Sequence, residues 1–139
     1  MKKIILLIVL VLLVGCEKEA VVSEMSLEVV PSANLISLET DKTLYHSGEM
    51  IYITAKINSD TELKNITARF YGIHASRYRL DQAKTVDLEK GENIVSLEYN
   101  APRCYGCSGI SPGTYHINLD MIHKEDKLAS KTVDVEIRQ

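Results

Sequence analysis

The chain has 139 residues, 45% hydrophobic and 25% charged, with a formal net charge of -3. That length leaves room for one ordinary domain once a targeting segment is removed, which excludes repeat arrays and multidomain enzymes. The balance is that of a globular protein, so neither a disordered tail nor a polybasic nucleic-acid binder fits, and no nucleic-acid partner is expected.

Lys2 and Lys3 precede an unbroken apolar run from Ile4 to Val14, followed by Gly15, Cys16 and the charged Glu17, Lys18 and Glu19. The run is shorter than the roughly 20 residues a helix needs to cross a bilayer, so it reads as an export signal over 1–15 rather than a permanent span. Leu13-Val14-Gly15-Cys16 resembles the lipobox of prokaryotic lipoproteins. The resemblance implies thioether lipidation of Cys16 and cleavage just before it. Several acyl chains, at about 0.8 kcal/mol per buried methylene, would then anchor the protein to the membrane. The expected address is the cell envelope, on the outer face of the cytoplasmic membrane or exposed at the cell surface. Cleavage leaves 14 basic against 19 acidic residues, so the exported chain carries net charge -5 and is repelled by an anionic membrane. Residues 16–26 form the lipidated N-terminus and tether, reaching on the order of 17 Å as a flexible coil; residues 27–139 form the domain.

From Leu35 onward apolar residues recur at every second position in short runs bounded by turn residues, the signature of half-buried strands. Ile36 and Leu38 supply the first. Ile51, Ile53, Ala55 and Ile57 face inward in the next, with Tyr52, Thr54 and Lys56 toward solvent. Ile66, Ala68 and Phe70 oppose Thr67, Arg69 and Tyr71; Val86 and Leu88 continue the pattern. Residues 75–84 read equally as loop, edge strand or single helical turn. Val95, Leu97 and Tyr99 follow the turn Glu89-Lys90-Gly91-Glu92-Asn93. Tyr115, Ile117, Leu119 and Met121 make the penultimate strand, and Val133, Val135 and Ile137 the last, beyond a charged turn at 123–127.

About seven strands without a convincing amphipathic helix predict an all-β, antiparallel two-sheet sandwich. Tyr45-His46-Ser47-Gly48-Glu49 and Pro112-Gly113-Thr114-Tyr115 resemble the turns that lead into strands of immunoglobulin-like domains in prokaryotic surface proteins. The resemblance covers roughly residues 35–139 and implies that Tyr115 is a tyrosine corner, its hydroxyl bonded to nearby backbone and its ring capping the core. With no Trp in the chain, Phe70 fills the core site of strand C, and no cysteine pair joins the sheets.

Assigning Cys16 to lipid leaves Cys104 and Cys107 as an even pair in a Gly-containing loop. Three readings stand. A local disulfide would stiffen the loop and stabilise by about 2 kcal/mol. A thiol redox centre needs a thiolate stabilised by a cation or a helix N-terminus; Arg103 is adjacent, but no helix follows. A metal site would need two further ligands, drawn from His74, His116, His123 or a second molecule. The disulfide is the expectation, with no metal and no cofactor.

No Gly-rich phosphate loop, H-E-x-x-H or G-x-S-x-G occurs, so no catalytic residue is assigned and the chain is not expected to be an enzyme. His46, His74, His116 and His123 read as solvated. Asn65-Ile66-Thr67 matches the N-glycosylation sequon, making Asn65 a modification candidate. Aromatic and basic residues gather at Arg69, Tyr71, His74, Arg77, Tyr78 and Arg79, and again at Arg103, Cys104 and Tyr105. Tyr with Arg is typical of recognition surfaces, while positive charge on an edge strand equally blocks edge-to-edge pairing. The expected function is a membrane-anchored, non-catalytic binding or structural module for a protein or glycan partner. The alternatives are an envelope thiol-redox or metal-handling protein using Cys104 and Cys107, or an exported hydrolase inhibitor.

Overall fold

The computed structural model describes residues 32–104 and 109–139. The export signal and tether expected over 1–26, with Cys16, lie outside the described residues, as do Tyr105 and Cys107. Eight strands run in order: β1 (Ala33–Thr40), β2 (Leu44–His46), β3 (Met50–Ser59), β4 (Leu63–His74), β5 (Tyr78–Leu88), β6 (Gly91–Asn100), β7 (Gly113–His123) and β8 (Asp126–Arg138). They form a three-stranded sheet, β1-β3-β6, and a five-stranded sheet, β2-β8-β7-β4-β5. This is an immunoglobulin-like sandwich, in which β4 takes the place of strand C and β7 that of strand F.

The alternation read from the sequence sets the core. Ile51, Ile53, Ala55 and Ile57 of β3 pack against Ile66, Ala68 and Phe70 of β4 and Ile117, Leu119 and Met121 of β7, all fully buried. Burying each large aliphatic or aromatic side chain contributes about 1.5–3 kcal/mol, so this double layer is the main source of stability. Phe70 occupies the centre, as expected in a chain without Trp.

Three departures have physical causes. The strands number eight because Leu44–His46 is a short strand rather than only a turn, and it pairs parallel to β8, so the sandwich is not wholly antiparallel. In β1 a bulge between Leu35 and Ser37 shifts the register. Leu35 and Leu38 are therefore the inward pair, and Ile36, expected inside, is 46% exposed. Residues 75–84, left open between loop, edge strand and helical turn, are a turn over 75–77 and then edge strand β5.

Both open seams between the sheets are bridged by lysine. The bulge frees carbonyls in β1, and Lys131 Nζ of β8 donates to those of Leu35, at 3.2 Å, and Ile36. Across the other seam Lys84 Nζ of β5 donates to the Ser96 carbonyl of β6 at 2.8 Å. Lys84 pairs with the inward-facing Ala68, and an inward-pointing charge on an edge strand prevents pairing with a second chain.

The β2 corner rests on one buried phenol. Tyr45 is fully buried, its hydroxyl donating to Asp41 Oδ1 at 2.7 Å and accepting from the Lys42 amide at 2.9 Å. The same carboxylate oxygen accepts from the Tyr52 amide of β3 at 2.9 Å. Burial first, and the Asp41 bond second, push the Tyr45 phenol up to about 12, while the Tyr45 bond, despite some opposing desolvation, holds Asp41 below the ordinary carboxylate range.

The signs give opposite limbs. Asp41, with a lowered folded value, stabilises fully above its unfolded value of 3.8 and loses that contribution as pH falls through the folded one. Tyr45, with a raised value, stabilises below its unfolded value of 10.0 and loses that contribution as pH rises toward about 12. Tyr45→Phe is expected to cost about 1 kcal/mol at neutral pH and to flatten the alkaline limb, which urea unfolding across the pH range measures. A wild-type alkaline limb retained in the variant would contradict this assignment.

Candidate functional site

Register defines two poles. The first residues of β1 lie opposite the end of β3, Ala33 pairing with Ser59, and the Asp60 amide donates to the Ser32 carbonyl at 3.2 Å. The turns at 60–62, 89–90 and 124–125 share this N-terminal pole. The turns at 47–49 and 75–77, residues 101–104 and 109–112, and the C-terminus lie at the opposite, distal pole. A strand of about ten residues separates the poles by about 30 Å.

Open troughs of nearly equal volume lie at both poles: one of about 450 Å³ between the start of β1 and the β7–β8 turn, lined by Ala33, His123, Lys127 and Leu128 among others, and one that begins at the distal pole, on the outer side of the five-stranded sheet. The distal trough, of about 470 Å³, is lined by Gly72, Ile73, His74 and Tyr78 of β4 and β5 and by Thr114, Tyr115, His116 and Asn118 of β7. Its shape originates in the backbone. Gly72 has φ 148°, and a Cβ built on it would stand 2.1 Å from the His116 carbonyl oxygen, so β4 and β7 approach here as only glycine permits. At the next residue the fully buried, β-branched Ile73 takes φ 50°, a conformation of order 1–3 kcal/mol above the relaxed backbone. Pairing of β4 with β7 ends at Gly72, while pairing with β5 continues to His74, which faces Tyr78. The β4–β5 hairpin therefore leaves the sheet as an arm, and the trough lies between that arm and the start of β7.

The rings on the arm and at its base in β4 form a connected set. Tyr71 and Tyr78 meet edge to face with centroids 5.4 Å apart, His74 and Tyr78 likewise at 5.3 Å, and the Arg69 guanidinium lies 5.1 Å from the centre of the Tyr71 ring. Tyr78 stays 47% exposed. Arg69 is also held by Asp81 through two hydrogen bonds of 2.9 and 3.0 Å, and that bonding keeps the Asp81 carboxyl below its usual range. On the β7 side, His116 Nδ1 and Asp134 Oδ1 are 2.6 Å apart, and Asn118 Nδ2 donates to the Tyr71 carbonyl while its Oδ1 accepts from Thr132.

Tyr115 does what the tyrosine-corner resemblance implied: it lies near the start of β7, packs half-buried on the core, and donates to the Ser111 carbonyl. Burial, with the nearby Cys104 thiol next in influence, raises the Tyr115 phenol. Cys104 is half-buried and free of any disulfide to another described residue, and its amide donates to Ser47 Oγ at 2.8 Å. Arg103 is exposed beside it, and its carbonyl accepts from Ile110, closing the loop base.

The structure thus brings together Arg69, Tyr71, His74 and Tyr78, and leaves Arg77 and Arg79 on the same arm. Arg103 belongs to a separate connection of the same pole. Tyr105 and Cys107 lie outside the described residues. Thr114 and Asn118 had no signal as site residues, and His116 only as a possible metal ligand, because only the β4–β7 register carries the three beside the arm. Asn65 is exposed on the bulge of β4, with φ 56° and its amide held by Asp87 Oδ1 at 2.9 Å. Among the described residues no group of three His, Cys, Asp or Glu stands in metal-holding geometry.

No family model and no curated protein matches the chain. Solved structures share the fold. With a cycloisomaltooligosaccharide glucanotransferase from Paenibacillus sp. the chain has a TM-score of 0.63 at 19% identity, over 78% of this chain and 14% of the other. The CARDB domain of a Pyrococcus furiosus protein, crystallised with di-metal ions, gives 0.53 at 14% identity over 78% and 87%. The Bacillus subtilis sporulation control protein Spo0M gives 0.53 at 12% over 79% and 51%. The chain spans about a seventh of the glucanotransferase, so the likeness there is to one region of a much larger enzyme.

Gly72→Ala is expected to destabilise by at least about 3 kcal/mol, since the clash is with backbone rather than a movable side chain. Tyr78→Ala should cost about 1 kcal/mol or less. Paired urea titrations check both, and a mild Gly72→Ala would contradict the close approach.

Proposed function

We propose that this chain is a lipid-tethered, non-catalytic binding module of the cell envelope, which holds a protein or glycan partner at the pole turned away from its membrane. The observation that carries the reading is polarity of placement. The described chain starts at one pole, and the ring-lined trough with its rigid Gly72–Ile73 shoulder begins at the other. A tether on the N-terminal side presents the distal pole outward. The lipobox-like Leu13-Val14-Gly15-Cys16 supports the anchor, and the lack of recognised hydrolase motifs supports a non-catalytic role.

Photo-crosslinking in intact cells tests this directly. A benzophenone residue in place of Tyr78 in the full chain should give adducts, whereas the same group in place of Glu92, near the N-terminal pole, should give few. Equal adduct yields from the two sites would contradict the reading. Cys16→Ala should at the same time release the protein from the membrane fraction.

Within this reading Cys104 and Cys107 form a local disulfide that stiffens the β6–β7 connection beside Tyr115. The competing thiol-redox role draws on Arg103 next to Cys104 and on the electrostatic influence of that thiol on Tyr115. Intact mass of the purified protein before and after alkylation without reductant separates them. A mass two hydrogens short and no alkylation support the disulfide; two alkylated thiols, or a retained metal, would turn the assignment to redox or metal chemistry.

A further inference from the structure

Neighbouring residues of a strand point to opposite faces of its sheet, yet Thr114, Tyr115 and His116 of β7 all border the distal trough, as do Gly72, Ile73 and His74 of β4. A space bordered by consecutive residues of two strands opens onto the strand edges, so backbone as well as side chains faces it. The ladder between β4 and β7 runs only as far as Gly72 and Ile117, where the arm departs. The start of β7, Gly113–His116, pairs among the described residues with β8 alone. That leaves about 13 Å of strand edge beside the arm.

The direction of the freed groups follows from β8. Thr114 stands opposite Glu136, and the Glu136 amide donates at 2.8 Å to the Thr43 carbonyl, on the side of β8 away from β7. Thr114 and Glu136 are therefore a non-hydrogen-bonded pair of the antiparallel ladder, and the N–H and C=O of Thr114 likewise turn away from β8, into the space that β4 has left. A strand edge that presents a donor and an acceptor side by side is matched by the same two groups of another extended chain. The side chains narrow the choice further. The rings of Tyr78 and His74, the Thr114 hydroxyl and the Asn118 amide border the trough, and none of the described lining residues is Asp, Glu, Lys or Arg, in a chain 25% charged. A charged side chain placed there would lose water without gaining a counter-ion. A sugar could use the rings and polar side chains, but only an extended chain carries its donors and acceptors at the spacing of a strand.

Resting on the proposed distal binding role, we propose that the trough takes an extended, uncharged peptide segment of a partner protein, which adds a short strand to β7 at Gly113–His116 and lays a side chain against the Tyr78 ring. The probe is a library of phage-displayed linear heptapeptides, selected on the full-length protein in detergent and then resynthesised singly. The enriched peptides should be uncharged at their centre. N-methylation one residue at a time should weaken binding about tenfold or more at the residue that faces Thr114 and have little effect at the two residues beside it, because alternate amides of an added strand turn away from β7. Tyr78→Ala should weaken the same peptides. Thr114→Pro should do so by about tenfold, since it removes the facing amide and leaves the ladder to β8 intact, as proline at an outward-facing edge position does. Circular dichroism establishes that both variants are folded before they are scored, and the N-methyl scan, run on the unaltered protein, decides the matter if either is not. No enriched peptide, binding indifferent to N-methylation at every position, or equal binding to Tyr78→Ala would each overturn the assignment. If the peptides fail while crosslinks from position 78 persist in cells, the occupant is of another class, a glycan among them, and the distal binding role stands; if the crosslinks fail as well, both fall.

Discussion

At Gly72 the backbone of β4 passes so close to the His116 carbonyl that no side chain fits between them. That one approach ends the pairing of β4 with β7 and turns Ile73 into the core in a strained conformation. It also releases the β4–β5 hairpin as an arm. Without it β4 would continue along β7, and the space lined by Tyr78 and Asn118 would be ordinary sheet surface. Strain of this kind persists only where the surroundings over-determine it. Here they do: Ile73 is fully buried, and Phe70, Ile117 and Leu119 pack on either side of the junction.

The rest of the sandwich supplies the rigidity that such a junction requires. The two inner faces are aliphatic and close-packed, with Phe70 doing the work of the absent Trp. Two tyrosines fasten the distal pole, Tyr45 to Asp41 and Tyr115 to Ser111, each placing a phenol hydroxyl on a partner four residues away. Lys131 and Lys84 bridge the seams, one satisfying the carbonyls that the β1 bulge frees, the other spanning β5 and β6. On the outer face Asp120 shows the same care with a buried charge. Burial pushes its carboxyl up, but the Lys127 and Ser130 hydrogen bonds outweigh that and hold it ionised.

Much of this architecture was legible in the sequence because a strand with one buried side announces itself at period two. Ile51 to Ile57 and Ile66 to Phe70 could be assigned to a face by counting alone, and Tyr115 by its place behind Pro112-Gly113. What could not be read was whatever breaks the period or depends on a partner strand. The bulge at Leu35–Ser37 moves Ile36 outward with no residue-type signal, and Leu44–His46 is too short to show alternation. The arm was half legible. Arg69, Tyr71, His74 and Tyr78 drew notice by composition, whereas Thr114, His116 and Asn118 join them only through the pairing of Tyr71 with Asn118 and Gly72 with Ile117. The meaning of Gly72 was hidden for the same reason: the atom that excludes a Cβ belongs to a residue 44 positions away in the chain.

The central claim is that the distal arm and the start of β7 act together as one binding surface. Hydrogen exchange of the full-length protein in isolated cell-envelope membranes, compared with the protein purified in detergent, addresses it most directly. The account predicts that added protection concentrates in residues 71–79 and 113–118, with little change at 59–63 and 123–127. Protection spread evenly over both poles, or confined to the N-terminal one, would contradict it.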